Sequence, residues 1–239
     1  MNLTCIALRT TRYSDRYDIL AAYSREIGRV SLLVPAGSGK EARRVRALVQ
    51  PLSLFACVAD VRPSREIHPM SQCTLVGGSS AAIGANPLKT AVAMFLAEIL
   101  ASLLRENQAD AATFDFLEDA VGRLAATSAV ANFHICFLYH FAQYAGIAPD
   151  TSTYVERRLF DLQNARFLDT PPFHNDYLDP DESAVFHSIS RMTFDNMRFF
   201  EFNRQQRAQI LSLIMRYYTI HYASLNSVKS LSVLQSLFD

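Results

Sequence analysis

The sequence lacks the features that mark several common protein classes. Its four cysteines, Cys5, Cys57, Cys73 and Cys136, include no C-x-x-C pair, which argues against a zinc finger or a disulfide framework. We expect them to be small buried apolar residues in a reducing compartment. No run approaches the roughly 18 consecutive apolar residues of a membrane span, and charged residues among the first twenty positions argue against a signal peptide. The sequence therefore predicts a cytoplasmic protein with no membrane contact.

Motifs of catalysis and metal binding are also absent. The string Gly37–Lys40 (GSGK) resembles part of a nucleotide-binding P-loop, but Val34 stands where that motif needs glycine and Glu41 where it needs serine or threonine. The sequence has no H-E-x-x-H pair of histidines and no G-x-S-x-G turn around a nucleophile. We therefore predict no enzymatic activity, no cofactor and no bound metal, and keep a hydrolase with an unrecognised site as an alternative.

A net charge of zero conceals an uneven distribution of charge. Residues 1–65 contain eleven Lys and Arg against five Asp and Glu, whereas residues 66–239 contain twelve against eighteen. Twenty of the 23 basic residues are arginine, whose planar guanidinium group suits phosphate contact and stacking on bases. A basic N-terminal part predicts a polyanionic partner.

Residues 3–76 show the pattern of a small β domain. Short segments rich in strand formers and separated by turn residues predict five strands, at Leu3–Thr10, Ile19–Tyr23, Val30–Val34, Leu48–Val61 (with a break at Pro51) and Cys73–Val76. Five such strands are typical of a small barrel or a sandwich. The Gly-rich basic segment Pro35–Arg46 interrupts them, and its polarity predicts a surface loop.

The pattern changes near residue 80, where we place a domain boundary. Asn86 before Pro87 predicts a helix start. Apolar residues at three- and four-residue spacing, together with start and stop signals, predict helices over Leu88–Gln108, Phe114–Ala126, Ala131–Tyr144, Asp179–Met192, Asn203–Tyr222 and Val228–Leu237. Residues 150–178 lose this period and predict a loop or hairpin insertion. Residues 81–239 thus form a predicted helical domain.

The basic residues of the N-terminal part form the candidate site. They flank the first strand and its turn, the second turn and the Gly-rich segment, and they are Arg9, Arg12, Arg16, Arg25, Arg29, Lys40, Arg43, Arg44 and Arg46. Tyr13, Tyr17 and Tyr23 are interleaved with them. A positive groove with aromatic side chains is how an OB-fold barrel holds single-stranded nucleic acid. A solvated charged surface, with the tyrosines in the core, explains the composition equally well.

Five short motifs, in order along the chain, resemble the RecO family. Ala7–Asp15 (ALRTTRYSD) is similar to the family's first strand, Tyr23–Val30 (YSREIGRV) to its second turn, and Gln50–Phe55 (QPLSLF) to the strand after its basic loop. Tyr144–Asp150 (YAGIAPD) resembles the phrase before the family's zinc-binding insertion, and Val228–Phe238 (VKSLSVLQSLF) resembles its C-terminus. Each motif is short and degenerate, so their order carries the resemblance.

The resemblance implies an α+β protein, with a five-stranded OB-fold barrel at residues 1–80 and an all-helical domain at 81–239. It implies a nucleoid-associated protein that binds single- and double-stranded DNA, anneals complementary strands and helps load recombinase. Its partners would be a RecR-like mediator protein and the C-terminal tail of single-stranded DNA-binding protein. This chain has no cysteine after Cys136, so the four zinc-binding cysteines of many relatives are missing. A helical protein-interaction module without direct DNA binding is the alternative.

Overall fold

Five strands build the N-terminal part of the chain, and they are β1 (Asn2–Arg12), β2 (Tyr17–Ser24), β3 (Gly28–Pro35), β4 (Leu54–Ala59) and β5 (His68–Leu75). In the computed structural model, which describes residues 1–104, 108–230 and 234, they close into a barrel in the order β1-β2-β3-β5-β4. β3 and β5 run parallel, and the other neighbouring pairs run antiparallel. Closure of five short strands in this way is the OB architecture. The predicted barrel is confirmed.

The barrel core follows from strict alternation of side chains. In β3 every second residue is buried, so Val30, Leu32 and Val34 face the interior, as the two-residue period of a strand requires. Cys5, Cys57 and Cys73 belong to the same apolar cluster. All four cysteines of the chain are buried and free, which confirms that they serve as small apolar residues.

A bulge in β1 determines the direction of Arg9. Cys5 and Ala7 face the barrel interior, and unbroken alternation would turn Arg9 inward as well. Ala7 pairs with Ala22 but Arg9 pairs with Ala21, so the strand contains one extra residue at Leu8. Because Ala22 faces the interior, its neighbour Ala21 faces outward and so does Arg9. A bulge commonly re-aims a side chain in this way.

The prediction of a surface loop over Pro35–Arg46 is wrong for most of that segment. A helix, α1 (Lys40–Leu48), begins directly after Gly39. It buries Ala42 and Val45 and exposes its cations, and Val45 and Val49 join the apolar cluster of the barrel. Only three small apolar residues form the buried stripe, and the basic residues around them concealed its helical spacing.

Three helices follow the barrel, α2 (Ser79–Gly84), α3 (Pro87–Leu103) and α4 (Ala111–Ala126). The predicted start of α3 is confirmed, because the Asn86 side chain accepts hydrogen bonds from the backbone N–H groups of Leu88 and Lys89. Asp110 caps α4 in the same manner through the N–H of Thr113. α2 has only six residues, too few for a periodic pattern to predict it.

Within the described residues, the part of the chain from 129 to 227 contains three further α-helices and a small sheet. The helices are α5 (Phe133–Tyr144), α6 (Pro180–Ser188) and α7 (Arg204–His221), and the strands are β6 (Leu159–Asp161), β7 (Arg166–Leu168) and β8 (Tyr177–Leu178). The strands lie in the order β7-β6-β8, within the segment predicted as an insertion. Capping boxes of Asp179 with Glu182 and of Asn203 with Gln206 begin α6 and α7. The helix predicted over Val228–Leu237 lies mostly outside the described residues.

Contacts divide the chain into two compact units. The first contains Met1–Ser128 and the described residues of Val228–Leu237, and the second contains Ala129–Ser227. The barrel therefore shares its unit with α2, α3 and α4. The predicted boundary near residue 80 separates strands from helices, whereas the compact units divide at residue 128.

Candidate nucleic-acid interface

The turn between β1 and β2 presents cations and aromatic rings to solvent. The side chain of Arg12 is 82% exposed, and its only ion pair among the described residues is with Asp15 at 3.3 Å, itself 98% exposed. Such an exposed pair contributes little to stability and leaves Arg12 available for other anions. Tyr13 and Tyr17 are 60% and 45% exposed, and Arg16 is exposed between them. In OB folds this turn is one of the loops that bind oligonucleotides.

The Gly-rich connection from β3 to α1 lies beside this turn. Tyr17 pairs with Pro35, and the N–H of Ala36 donates to the carbonyl of Arg16 at 2.9 Å. Four residues lead from Ala36 to Lys40, so the backbone of Lys40 lies within about 14 Å of Ala36. Within the described part of the chain Lys40 has no ion pair, and it is exposed at the start of α1. The cations of the turn and of α1 therefore belong to one end of the barrel.

The other basic residues of α1 differ in the hydrogen bonds and ion pairs that their side chains form. Arg43 is exposed, and no ion pair is found for it among the described residues. Arg44 donates to Glu41 at 3.1 Å and to the carbonyl of Cys73 at 3.0 Å, which ties α1 to β5. Arg46 donates to the carbonyl of Gly37 at 2.8 Å and steadies the Gly-rich connection. We name Arg12, Tyr13, Arg16, Tyr17, Lys40 and Arg43 the turn–helix surface.

Arg25 lies at the opposite end of the barrel. The eight residues of β2 separate it from Arg16 by roughly 25 Å. Arg25 forms ion pairs of 2.7 Å with both Asp115 and Glu118 on α4, and its guanidinium carbon lies 4.3 Å from the centre of the Phe114 ring. These contacts attach the barrel to α4.

Tyr23 and Arg29 belong to this same end of the barrel. Tyr23 is fully buried and donates its hydroxyl to the carbonyl of Gln108 at 3.3 Å. Arg29 pairs with Tyr23 across β2 and β3 and is half-buried. Tyr23 therefore does not offer a stacking face, and the nine basic candidates do not form one continuous surface.

Two basic residues of the loop between β4 and β5 were absent from the sequence-based candidates. Arg62 and Arg65 form ion pairs with Asp60 at 3.0 and 3.2 Å. These hydrogen bonds and charges hold the pKa of Asp60 below its usual range. The loop corresponds to the second binding loop of OB folds. The predicted strands end at Val61 and begin again at Cys73, so the sequence already leaves both arginines in a loop; counting the cations of that loop would have found them.

Two family models match the chain. The model described as Recombination protein O N terminal matches residues 1–78, and the one described as Recombination protein O C terminal matches residues 85–231. This chain belongs to the RecO family. The resemblance read from five short motifs is thus confirmed, and membership supports a role in DNA repair and recombination.

Curated relatives named DNA repair protein RecO span nearly the whole chain. The protein of Porphyromonas gingivalis is 34% identical over 242 residues, that of Phocaeicola vulgatus 33% over 234, and that of Bacteroides fragilis 33% over 236. Each match covers 98% of this chain and 97% of the relative. The similarity therefore includes both the barrel and the helical part of RecO.

In this RecO chain the insertion is held by side chains other than cysteine. Asp161 is almost fully buried and accepts hydrogen bonds from the backbone N–H groups of Gln163 and Asn164 and from the Asn164 amide. Phe160 and Phe167 pack with ring centres 4.8 Å apart. Across the described ranges, no group of three or more His, Cys, Asp or Glu is arranged to hold a metal ion. None of the helices in those ranges is long and apolar enough to cross a membrane.

Proposed function

We propose that this RecO-family chain is a non-enzymatic DNA-binding mediator that binds single and double strands, anneals complementary strands and helps load recombinase. The turn–helix surface carries the proposal, because it combines exposed cations with two exposed tyrosines at one end of an OB barrel. A solvated surface without function would not require aromatic rings to be exposed between the cations.

The mechanism follows from the chemistry of these side chains. Arg and Lys neutralise phosphates and release condensed counterions, so binding is strong at low salt and nearly independent of sequence. Tyr13 and Tyr17 offer ring faces on which the bases of a single strand can stack, which favours single strands over duplexes. Two neutralised strands repel each other less, so complementary strands anneal without a chemical step.

Protein partners complete the proposed role. We place this chain with a RecR-like mediator at strands coated by single-stranded DNA-binding protein, whose acidic and apolar C-terminal tail it would contact. In the second unit Phe199 is 69% exposed, and the guanidinium carbon of Arg198 lies 4.7 Å from its ring centre. A cation beside an exposed ring fits a tail that contains both carboxylates and apolar side chains.

Annealing of complementary oligonucleotides tests the proposal. We expect the full chain to accelerate annealing in the absence of ATP and magnesium, because Val34 and Glu41 replace the residues that a P-loop needs. The measurement is the loss of donor fluorescence as two labelled strands pair. A rate that collapses without nucleotide would contradict the non-enzymatic mechanism. Failure to bind DNA at all would favour the helical interaction module instead.

A further inference from the structure

A cleft in the first unit is lined by Arg9 and Arg46, which lie three residues along the chain from Arg12 and Arg43 of the turn–helix surface. It has a volume of about 380 Å³ and lies between β1, the turn at Gln50–Ser53 and α3. Arg9 and Arg46 stand on its rim, and Val49 and Met94 line its apolar part. A neighbouring cleft of about 300 Å³ shares Met94 and the Gln50–Pro51 edge, and we call the two clefts together the groove.

Met94 is unusual among its neighbours in α3. Ala93 and Phe95 are buried, whereas Met94 is 45% exposed and faces the groove. Thr90 and Glu98 lie one turn before and after it on the same helix face, and both are partly exposed. The thioether of methionine is polarizable and packs well against flat aromatic rings.

The opposite wall is a turn held in a strained conformation. Leu52 has a φ of +61°, a left-handed backbone conformation that is uncommon for a residue with a branched side chain. Its N–H donates to the carbonyl of Ala7 at 2.8 Å, and the N–H of Ala7 donates to the carbonyl of Ser53 at 2.9 Å. These bonds fix the turn against β1 and direct Gln50 and Pro51 to the groove. Strain of this kind is concentrated at ligand sites.

The charges of the groove favour a ligand with an anionic edge and a neutral body. Glu98 accepts hydrogen bonds from the backbone N–H groups of Lys229 and Ser230, at 3.1 and 2.8 Å, and from the Ser230 hydroxyl. Partial burial raises the pKa of Glu98, but these bonds and the charge of Arg9 outweigh it and hold the pKa below its usual range. Glu98 therefore remains a carboxylate and would repel an acidic side chain that entered the cleft.

We infer that this cleft receives a nucleobase of a bound single strand, whose flanking phosphates lie on Arg9 and Arg46. The inference rests on the proposed DNA binding and extends it. α1 carries its exposed cations from Lys40 to Arg46, so a strand that leaves the turn–helix surface along α1 reaches the cleft. There the base packs against Met94. The Gln50 amide nitrogen donates to the carbonyl of Arg46 at 2.6 Å, so the amide oxygen is left to accept a hydrogen bond from the edge of the base.

A pair of charge-matched variants of the full chain tests the inference. Met94→Glu places a carboxylate in the cleft, and Ala47→Glu places one on the exposed face of α1 outside it. The measurement is the ratio of affinities for a single-stranded oligothymidine and for a duplex of equal length. We expect Met94→Glu to lower this ratio by about fivefold, because a carboxylate removes apolar contact with the base worth roughly one buried methylene group. Ala47→Glu weakens both DNAs equally, because it affects phosphates alone, and Met94→Leu retains most of the wild-type ratio.

Each other outcome overturns the inference in a distinct way. An unchanged ratio in Met94→Glu, with normal DNA binding by the wild type, contradicts the cleft assignment and leaves the proposed function standing. No DNA binding by the wild type contradicts both. If Met94→Glu leaves DNA binding intact but abolishes binding of a synthetic acidic, apolar peptide, the cleft is a peptide site.

Discussion

His134 shows how burial alone alters a single residue. It lies in α5 with 2% of its surface exposed, and burial, with a smaller contribution from the charge of Arg207, lowers its pKa to about 3. The ordinary value is 6.5. Below that value the unfolded chain binds a proton that the folded chain does not, so the free energy of unfolding falls as pH decreases from 6.5 towards 3.

The replacement His134→Gln removes this proton uptake. We expect the wild type to lose stability relative to the variant by up to about 1.4 kcal/mol per pH unit below the ordinary histidine pKa. Urea unfolding of both proteins at about pH 7.5 and about pH 5, followed by circular dichroism, gives the two free energies. If the difference in free energy of unfolding between wild type and variant is the same at both pH values, His134 binds a proton as readily in the folded protein as in the unfolded chain.

The direction of the Arg9 side chain could not be predicted from the sequence. Its charge and its place in the first strand were evident, but its direction was not, because the bulge at Leu8 reverses the alternation. Bulges depend on the partner strand and on the turn at Leu52, whose backbone meets β1 at that point. No local pattern in the sequence of β1 predicts such a bulge.

At the scale of elements, Arg25 is a predicted DNA contact whose observed contacts are with a neighbouring helix. The sequence placed it among the DNA contacts, whereas the structure places it on Asp115, Glu118 and Phe114 of α4. Because the two ion pairs are largely exposed, we expect Arg25→Ala to reduce the free energy of unfolding by only about 1–2 kcal/mol. Its affinity for DNA should equal that of the wild type.

Arg25→Lys is the matched control for this prediction. It retains the charge but cannot contact both carboxylates with a planar fork, so its stability should lie between the other two proteins. Thermal unfolding and oligonucleotide binding of the three proteins give the comparison. Weaker DNA binding with unchanged stability would return Arg25 to the nucleic-acid interface.

Elements with a clear local signal in the sequence were predictable. The helix whose buried apolar residues are few and surrounded by basic ones was not. The first three strands of the barrel followed from short runs of strand formers between turn residues, and the starts of α3, α6 and α7 followed from capping residues. The predicted strand over Leu48–Val61 begins instead with the end of α1 and a turn, and β5 begins at His68 rather than at Cys73. α1 was missed because its basic residues surround a buried stripe of only three residues. Missing α1 affected the predicted site, because Arg44 and Arg46 lie on this helix and donate to the carbonyls of Cys73 and Gly37.

At the scale of the whole molecule, the uneven charge of the sequence indicated a polyanionic partner but not the surface that meets it. Barrel closure places Arg12, Arg16, Lys40 and Arg43 at one end, and the ion pairs with α4 hold Arg25 at the other. That division depends on which strands pair and on which helix covers the barrel. Neither can be derived from residue spacing along the chain.

Two triple variants, compared in their binding to a labelled single-stranded oligonucleotide, test whether the turn–helix surface binds DNA. One variant replaces Arg12, Arg16 and Arg43 with alanine, and the control replaces the exposed Arg166, Arg191 and Arg198 of the second unit. Both remove three positive charges. Fluorescence anisotropy over a series of salt concentrations gives the affinity and its salt dependence.

We predict that the first variant keeps its melting temperature, loses most of its affinity, and shows a log–log salt dependence shallower by about two, at about 0.7 per lost phosphate contact. The control should bind nearly as the wild type does. Equal losses in the two variants, or full binding by the first, would contradict the claim that this end of the barrel binds DNA.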